Sequence, residues 1–282
     1  LGAPGDWQVE WKWDGIRAQI VRRGGAVWVW SRGEELVTDR FPELAEAATA
    51  ALPDGTVVDG EILVWLPGEP QPRPFADLQK RLGRKTLSAK LLRELPVVLV
   101  TYDLLEHAGQ DVRQQPQYAR RALLESTLQP DPAAIAPDAC SVLRLSSVLH
   151  GADWPNLAQQ REASRGMGTE GFMLKNREAH YGVGRTKDVG VWWKWKIDPM
   201  SVDAVLIYAQ RGHGRRASLY SDYTFAVWNG PPEDPERQLV PFAKAYSGLT
   251  DVEIGQVDAI VRKTTRESFG PVRSVDATMV FE

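Results

Sequence analysis

The chain has 282 residues, with 34 lysines and arginines against 37 aspartates and glutamates, and 43% of its residues are hydrophobic. This composition is typical of a globular protein, and the length favours two domains. The net charge alone requires no acidic partner. One cysteine excludes a disulfide framework within the chain and suits a reducing cytoplasm, where we expect the protein to work, and four scattered histidines argue against a zinc site. The longest apolar run, around PVVLVTYDLL, is too short to span a bilayer and no signal peptide is visible, so we expect no membrane partner.

The N-terminal part of the chain predicts a run of strands with one helix. Alternation in IRAQIV places Ile16, Ala18 and Ile20 on one face of a strand, and Arg17 and Gln19 on the other. Pairs that contain glycine mark tight turns. The predicted strands and turns are, in order, WQVEW, Asp14-Gly15, IRAQIV, Gly24-Gly25, AVWVW and TVVDGEILVW, with a helix in PELAEAATAAL before the last strand.

The middle of the chain alternates helical and strand patterns. Short amphipathic helices are predicted in FADLQKRLG and LSAKLLREL, and longer helices in YARRALLESTL and WPNLAQQREASR. VVLVTYDLL, EGFMLK and VWWKWKI have the composition of strands. The segment from Gln129 to Ala139, rich in proline, alanine and aspartate, predicts a surface loop.

The pattern changes after Asp198-Pro199. Three strand patterns follow in SVDAVLIYAQ, RASLYSDYTFAVW and QLVPFAKAYSG, and then one helix in DVEIGQVDAIVRKTT. We therefore expect a domain boundary near Pro199, with domains of residues 1–198 and 199–282. The second domain would be a small β-barrel of the kind that often holds nucleic acid.

Positive charges gather in four short clusters. These are the pair Arg22-Arg23, KRLGRK from Lys80, RGHGRR from Arg211 and RKTTR from Arg262. A single cluster of this kind is usually solvated surface. The four together favour a basic face that could bind nucleic acid.

No glycine-rich phosphate loop of the form G-x-x-x-x-G-K-[ST] occurs, so side chains would have to hold the phosphates of a nucleotide. Lys194 and Lys196 are the best candidates. Their i, i+2 spacing puts both on one face of a strand, about 7 Å apart, with Trp193 and Trp195 on the opposite face. The alternative is a strand with a solvated lysine side and a dry tryptophan side.

Asp59 and Glu61 share one face of a strand whose other face is apolar. Paired acids on a buried strand are costly unless they bind a cation or hydrogen-bond donors. Carboxylate oxygens without a cluster of cysteine and histidine favour magnesium over zinc. The alternative is an ordinary salt bridge.

The segment KWDGIR fits the pattern K-x-D-G-x-R, with Lys12 between two tryptophans and Asp14, Gly15 and Arg17 after it. Alone, this pattern is also compatible with a hairpin that has charged edges. Further motif residues follow in one order, at separations suited to one domain: Arg32 in SRGEE, Glu61 in VDGEI, Tyr102 in VTYDLL, Glu170 and Lys175 in EGFMLK, and Lys194 and Lys196 in WWKWK.

This ordered set resembles the nucleotidyltransferase motif series of ATP-dependent DNA ligases. The segments EWKWDGIRAQ, SRGEELVTDRFPEL and DAVLIYAQRGHGRRASLYSDYTFAVW are most similar to the bacterial ligases of this family that are linked to DNA repair. The resemblance covers nearly the whole chain. It implies an α+β fold, in which a nucleotidyltransferase (adenylation) domain of antiparallel sheets with helices is followed by a small OB-fold barrel.

The resemblance implies that Lys12 is the nucleophile of a ligase that uses ATP and Mg²⁺. Lys12 would attack the α-phosphate of ATP, forming lysyl-AMP and releasing pyrophosphate. The AMP would then move to the 5′-phosphate of a nick in double-stranded DNA, and the 3′-hydroxyl would displace it. Only a neutral amine attacks, and the nearby cations Lys194, Lys196 and Arg17 would disfavour the protonated form of Lys12.

The resemblance also implies roles for the other motif residues. Glu10 would read the adenine amino group, and Tyr102 would stack on the adenine in place of the phenylalanine common in the family. Arg17 would contact the ribose or its neighbours, and Arg32 a phosphate. Glu61 and Glu170 would contact the ribose or the metal. The phosphates would be bound by Lys175, Lys194 and Lys196.

One conflict accompanies these assignments. Strict alternation places Glu170 and Lys175 on opposite faces of EGFMLK. A twist or a bulge must intervene in this strand, or one of the two assignments is wrong.

Two parts of the family pattern have no counterpart in this sequence, namely the C-terminal basic motif and the N-terminal DNA-binding domain. We therefore expect the chain to bind ATP but to adenylate itself poorly and to hold nicked DNA weakly. We also expect a monomer. Two alternatives remain open. One is an RNA ligase or capping-type nucleotidyltransferase, which shares the lysine motif, and the other is a non-catalytic nucleic-acid-binding module that keeps the fold.

Overall fold

The computed structural model describes residues 1–84, 86–128, 142–182, 191–199, 201–277 and 280–281. The chain divides into two compact units, Leu1–Ile197 and Asp198–Glu282. The loop predicted from Gln129 to Ala139 lies outside the described residues. Among the residues that are described, no helix has both the length and the apolar character that crossing a membrane would need.

The first unit is built from two sheets and the helices that cover them. Its described strands are β1 (Trp7–Trp13), β2 (Ile16–Arg23), β3 (Ala26–Ser31), β4 (Thr56–Val64), β5 (Val97–His107), β6 (Gln110–Asp111), β7 (Leu143–Leu145), β8 (Val148–Leu149), β9 (Thr169–Asn176) and β10 (Trp192–Lys196). Its described α-helices are α1 (Pro42–Ala51), α2 (Phe75–Leu82), α3 (Ala89–Glu94), α4 (Gln117–Leu128) and α5 (Trp154–Arg161). The sequence patterns predicted all five helices, and the sequence analysis did not predict the short strands β6, β7 and β8.

The two sheets of this unit differ in what they bury. Sheet A has the strand order β10-β9-β1-β8, and sheet B has the order β3-β2-β4-β5-β6, with β7 parallel to β5. One face of sheet B packs against α1, α2 and α4, and its core includes Ile20, Leu44, Leu78, Leu99 and Leu124. The opposite face of sheet B is therefore available to form a site with sheet A.

The turn at Asp14-Gly15 is not a hairpin. β1 pairs in sheet A and β2 in sheet B, so this turn is the corner at which the chain passes from one sheet to the other. A Cβ atom on Gly15 would lie 2.3 Å from the carbonyl oxygen of Ile62, so only glycine fits there. The alternative of a hairpin with charged edges is thereby wrong. The turn predicted at Gly24-Gly25, in contrast, does join β2 and β3 as a hairpin, with both glycines at positive φ.

The second unit is a smaller antiparallel sheet with one described α-helix and a short 3-10 helix (Gly214–Arg216). Its elements are β11 (Ala204–Arg211), β12 (Tyr220–Trp228), β13 (Leu239–Ala245), α6 (Asp251–Thr264), β14 (Thr265–Phe269), β15 (Val272–Val275) and β16 (Val280–Phe281). The strand order is β13-β12-β11-β15-β14, and β16 pairs with β11.

Bulges curl this sheet around its helix. Register shifts interrupt the pairing of β11 with β12, of β12 with β13 and of β14 with β15, and bulges of this kind bend strands. Leu206, Tyr220 and Val275 pack with Val257 and Val261 of α6. The curled sheet is compatible with an OB-fold, and the fold class is α+β with antiparallel sheets, as predicted.

Candidate active site

A cavity of about 540 Å³ is lined by residues of sheets A and B. Eight of the residues singled out in the sequence line it: Glu10, Lys12, Arg17, Arg32, Glu61, Tyr102, Lys175 and Lys194. Glu170 and Lys196 join this group through Lys12, as described below. The site therefore forms within the first unit. Its residues come from distant parts of the sequence, since Glu10 and Lys194 are more than 180 positions apart.

Strand alternation explains how these side chains meet. In sheet B, Arg17 of β2 lies beside Glu61 of β4 in register, on the face turned away from the helices. In sheet A, Glu10 of β1 lies opposite Met173 of β9, which in turn lies opposite Lys194 of β10. Cross-strand partners share a face, so one row of side chains crosses the sheet toward the cavity.

Lys12 lies at the centre of a charged cluster. Its ammonium group pairs with the carboxylate of Glu170, and the Nζ atom of Lys196 lies 3.1 Å from the same Oε2 atom. Burial raises the pKa of Glu170, but the hydrogen bonds from Lys12 and Lys196 outweigh burial and hold this pKa below its ordinary value. Glu170 is thus an anion that bridges the two lysines.

A bulge in β9 brings Glu170 to this side of the sheet. Trp11 pairs with Phe172, but Trp13 pairs with Thr169, so β9 contains one extra residue at this point. Gly171 lies within the bulge at a φ of 121°, and a Cβ atom there would lie 2.3 Å from the carbonyl oxygen of Trp195. The bulge resolves the conflict between Glu170 and Lys175 that strict alternation produced.

Lys194 adds a further positive charge to the cluster. Burial lowers the pKa of Lys194, and the neighbouring cations Lys12, Arg32 and Lys196 lower it further, while Glu170 opposes them. Such a concentration of positive charge suits a polyphosphate.

Trp193 and Trp195, which were predicted to share one face of β10, do not share one environment. Trp195 packs against Trp154 and Phe172 behind the sheet, at ring-centroid distances of 5.9 and 6.1 Å. Trp193 is 45% exposed and borders the cavity, which differs from the predicted dry tryptophan face. Among the described strands, β10 lies at the edge of sheet A.

Asp59 forms a buried salt bridge, the alternative to metal binding that the sequence left open. It has no solvent exposure, and it accepts from Nε and Nη2 of Arg17 at 3.1 and 2.6 Å. The hydroxyl of Tyr181 donates to the same carboxylate at 2.7 Å, and the hydroxyl of Tyr102 lies 3.4 Å from it. Asp59 therefore fixes Arg17 and joins it to the aromatic side of the cavity.

The negative charge of Glu61 is only weakly compensated by the cations around it. Burial raises its pKa to about 7, and Asp59 raises it as well, against the opposing effects of Lys12, Arg17 and the backbone N–H of Gly15. In the described part of the chain, no three acids, histidines or cysteines gather as a metal cluster. A partly buried carboxylate that binds its proton this tightly fits a place where a cation would complete the site together with phosphate oxygens.

Glu10 and Lys175 form a buried ion pair at the aromatic end of the cavity. Both are about 1% exposed, and Lys175 Nζ lies 2.5 Å from Glu10 Oε2. The same ammonium lies 4.3 Å from the ring centroid of Tyr102 and 4.6 Å from that of Trp192. The structure thus places Lys175, which the sequence analysis assigned to phosphates, against Glu10 and two aromatic rings.

Sequence reasoning did not single out Arg121, Tyr181 and Trp192. Trp192 could have been found, since it precedes Lys194 by two positions and so shares its face. Arg121 and Tyr181 belong to no sequence motif that indicates a chemical role. Their roles come from contacts with residues 111 and 122 positions away, namely Glu10 and Asp59.

The arrangement has the parts needed to transfer a phosphoryl group to an amine. Lys12 supplies the amine, Arg32, Lys194 and Lys196 supply positive charge around it, and Tyr102 supplies an aromatic surface. Fixed charges of this kind stabilise the charge of a phosphoryl transition state without rearrangement.

Comparison with known sequences assigns this arrangement to a family. A model of the ATP dependent DNA ligase domain matches residues 3–196. The chain is 37% identical to a "Probable DNA ligase" of Opitutus terrae, over 97% of this chain and 28% of that protein. It is 39% identical to a "Probable DNA ligase" of Koribacter versatilis, over 97% of this chain and 48% of that protein. The chain therefore spans about half or less of the length of these two relatives.

Solved structures show the same fold. The mycobacterial DNA ligase D complexed with ATP and MES superposes with a TM-score of 0.57 at 24% identity, over 99% of this chain and 82% of that chain. A Lig E DNA ligase superposes with a TM-score of 0.59 at 20% identity, over 89% and 81% of the two chains.

The family match covers more than half of the chain. It includes both ends of the motif series, from Glu10 to Lys196, and hence the whole charged cluster around Lys12. The chain belongs to the ATP-dependent DNA ligase domain family.

Proposed function

We propose that the chain is the catalytic core of an ATP-dependent DNA ligase, with residues 1–198 as its adenylation domain and residues 199–282 as its OB-fold domain. The single observation that carries the proposal is the position of Lys12, in a cavity with an aromatic end and a cluster of cations. The reaction would seal nicks in double-stranded DNA. We further propose that the protein acts as a monomer in the cytoplasm.

In the first step, the Nζ atom of Lys12 attacks the α-phosphorus of ATP. A P–N bond forms, the P–O bond to pyrophosphate breaks, and lysyl-AMP results. Lys12 must leave its ion pair with Glu170 and release a proton to solvent before it attacks, since only the neutral amine is a nucleophile. Lys196 stays beside Glu170 and keeps that carboxylate paired when Lys12 moves away.

The cavity would orient the nucleotide along its length. Glu10 would accept from the adenine amino group, Tyr102 would stack on the base, and Lys175 would hold Glu10 in place. Arg17, fixed by Asp59, would reach the ribose. The phosphates would lie against Arg32, Lys194 and Lys196. Positioning of this kind supplies much of the rate enhancement in phosphoryl transfer.

Magnesium fits this site through Glu61. Mg²⁺ is commonly bound by one or two carboxylates together with substrate phosphates, and Glu61 is a partly buried carboxylate that lines the cavity and has a raised pKa. When bound, the ion would neutralise charge on the phosphates. Glu170 could contribute as a second carboxylate once Lys12 has left it.

In the later steps, AMP passes from Lys12 to the 5′-phosphate of the nick. The 3′-hydroxyl then attacks that phosphate, a phosphodiester bond forms, and AMP leaves. The family match favours DNA over the RNA ligase and capping alternatives, and nicked DNA and nicked RNA offered side by side would separate them. Sealing of nicked RNA alone would contradict the proposed substrate.

The first experiment is covalent labelling with α-labelled ATP and magnesium, followed by a denaturing gel and an acid wash. We expect a weak acid-labile band in the unmodified chain. Lys12→Ala should lose this band entirely. Lys90→Ala, at a lysine whose side chain is 77% exposed, should keep it and so serves as the matched control. An undiminished band in Lys12→Ala at saturating ATP would remove the assignment of the nucleophile.

A further inference from the structure

Glu10 is held by donors from three different elements. Arg121 of α4 donates from Nη1 to Oε1 at 3.0 Å, and Gln8 of β1 donates to the same oxygen at 3.2 Å. Lys175 of β9 lies 2.5 Å from the other oxygen, Oε2. A single cation would balance the charge of Glu10, so Arg121 is not required for neutrality alone.

Hydrogen bonds hold the guanidinium of Arg121 in one orientation. It is 7% exposed, its Nη2 donates to the carbonyl oxygen of Ser146 at 2.8 Å, and its Nε donates to Glu125 at 2.7 Å. All three nitrogens of the guanidinium are therefore engaged. A planar guanidinium anchored at three points presents Nη1 to Glu10 in one fixed direction.

The contacts leave Glu10 with one place to accept a further hydrogen bond. Each carboxylate oxygen accepts about two hydrogen bonds. Arg121 and Gln8 fill Oε1, and Lys175 fills half of Oε2. Because Glu10 lines the cavity, the remaining acceptor on Oε2 is the one a bound base can use.

Adenine and guanine differ in what they need from a carboxylate. Adenine offers one exocyclic amino group on its Watson–Crick edge, which a single acceptor satisfies. Guanine has a carbonyl oxygen at that position and two adjacent donors, its ring N–H and its amino group, which suit a carboxylate that offers both oxygens. With Oε1 occupied, Glu10 can serve adenine but cannot hold guanine with two oxygens.

We propose that Arg121 is a positioning residue that sets the base specificity of the nucleotide site. Together with Gln8 it occupies Oε1, which leaves Glu10 a single free acceptor on Oε2 and prevents both carboxylate oxygens from binding guanine. This inference rests on the proposed function, in which Glu10 faces the base. It assigns a role in substrate choice to a side chain that does not touch the nucleotide.

The test compares ATP and GTP, both in binding by titration calorimetry and in labelling by the α-labelled nucleotides. Arg121→Met removes the donors and keeps the length of the side chain. We expect the preference for ATP over GTP to fall by about tenfold or more, which is the scale of one hydrogen bond to a charged group. The chief reason is that GTP binds better once one acceptor position of Oε1 is free, since Gln8 alone still donates to that oxygen. The control is Arg113→Met, at an exposed arginine near the start of the same helix, which should leave the preference unchanged.

A purely structural role for Arg121 gives a different result. It would weaken both nucleotides equally and leave their ratio as it is, and that outcome would overturn the proposal. If Arg121→Met fails to fold, as judged by circular dichroism, Arg121→Lys decides the matter, because lysine keeps the charge but lacks the rigid fork. A lower ratio in Arg121→Lys supports the proposal, and an unchanged ratio overturns it.

Failure of the proposed function would look different again. An unmodified chain that binds neither nucleotide would contradict the nucleotide site itself, and the role of Arg121 with it. An unmodified chain that prefers ATP, together with Arg121 variants that prefer it equally, would contradict the role of Arg121 alone.

Discussion

Single residues determine which side chains can meet at Lys12. Glu170 reaches Lys12 only because Gly171 adopts a φ of 121° and lets β9 bulge. Gly15, at the corner between the sheets, is needed because a Cβ atom there would collide with the backbone of β4. The two glycines therefore fix the position of a lysine and of its carboxylate partner without touching either charge.

Gly171→Ala tests the bulge. We expect this substitution to lower the free energy of unfolding by about 2 kcal/mol or more, since the new Cβ meets both a strained φ and the carbonyl oxygen of Trp195. Covalent labelling should fall as well, because Glu170 would lose the position from which it is proposed to serve as the second carboxylate for magnesium. Urea denaturation and labelling measure the two effects. Gly255→Ala is the control: Gly255 lies in α6 with open space around it, so alanine should stabilise the protein slightly.

The raised pKa of Glu61 predicts that the free energy of unfolding depends on pH. Burial, the largest cause, raises its pKa to about 7 from an ordinary value of 4.5. The folded state therefore binds this proton more tightly than the unfolded state, and the resulting stability is present below about pH 4.5 and is lost as the pH rises through about 7. Glu61→Gln, which cannot ionise, should remove this loss.

The measurement is the free energy of unfolding of both proteins between pH 5 and pH 8. We expect the difference between Glu61→Gln and the unmodified chain to grow toward pH 8 in favour of the variant, by up to about 3 kcal/mol. A constant difference across this range would show that Glu61 keeps an ordinary pKa in the folded protein.

At the scale of elements, helix α4 connects the core to the site. Arg120 and Asp103 of β5 form an ion pair with no solvent exposure, at 2.8 and 3.0 Å, and Arg120 also donates to the carbonyl oxygen of Ala179. The next residue along, Arg121, contacts Glu10 in β1. One turn of α4 thus ties together β5, β1 and the segment that follows β9.

Breaking the buried pair should be costly. Arg120→Met leaves Asp103 buried without its partner, and we expect a loss of about 3–5 kcal/mol in the free energy of unfolding. The double variant Arg120→Met with Asp103→Leu should recover part of this loss, because no uncompensated charge remains. Urea denaturation of the three proteins checks this. A single variant as stable as the unmodified chain would mean that water or another donor reaches Asp103.

The sequence predicted local elements well and long-range geometry poorly. The two-residue alternation in β2 and β10 correctly placed Arg17 and Lys194 toward the cavity, because a strand's faces follow from its own residues. The corner at Asp14-Gly15 was predicted only as a turn, since a turn signal does not say in which sheet the next strand pairs. The bulge at Gly171 was anticipated as a need but not located, and the contact of Arg121 with Glu10 joins residues 111 positions apart.

At the scale of the whole molecule, the basic clusters are less uniform than the sequence indicated. In KRLGRK, Arg81 is fully buried and pairs with Glu43, so its charge is not on the surface. In the second unit, Arg216 pairs with Asp251 at 2.6 Å, while Arg215 is exposed. The positive charge available for the proposed binding of DNA is therefore smaller than a count of basic residues suggests, and individual arginines must be tested.

The last prediction follows from this uneven distribution and concerns binding to nicked DNA. Each phosphate contact releases condensed counterions, so log affinity falls with log salt by close to one unit per contact. We expect a clear negative slope for the unmodified chain, and a slope smaller by about one unit for Arg215→Ala if this side chain contacts a phosphate. Arg81→Met should leave the slope unchanged at temperatures where the variant is folded, because Arg81 is buried. This substitution should also destabilise the first unit, since Arg81 pairs with Glu43. Lys90→Ala, at an exposed lysine paired with Glu94 on α3, is the matched surface control. Fluorescence anisotropy with a labelled nicked duplex at several salt concentrations measures all four proteins. A slope near zero for the unmodified chain would argue against DNA as the substrate, whereas a normal slope that Arg215→Ala does not change would place the contacts on other residues and leave the DNA-binding proposal intact.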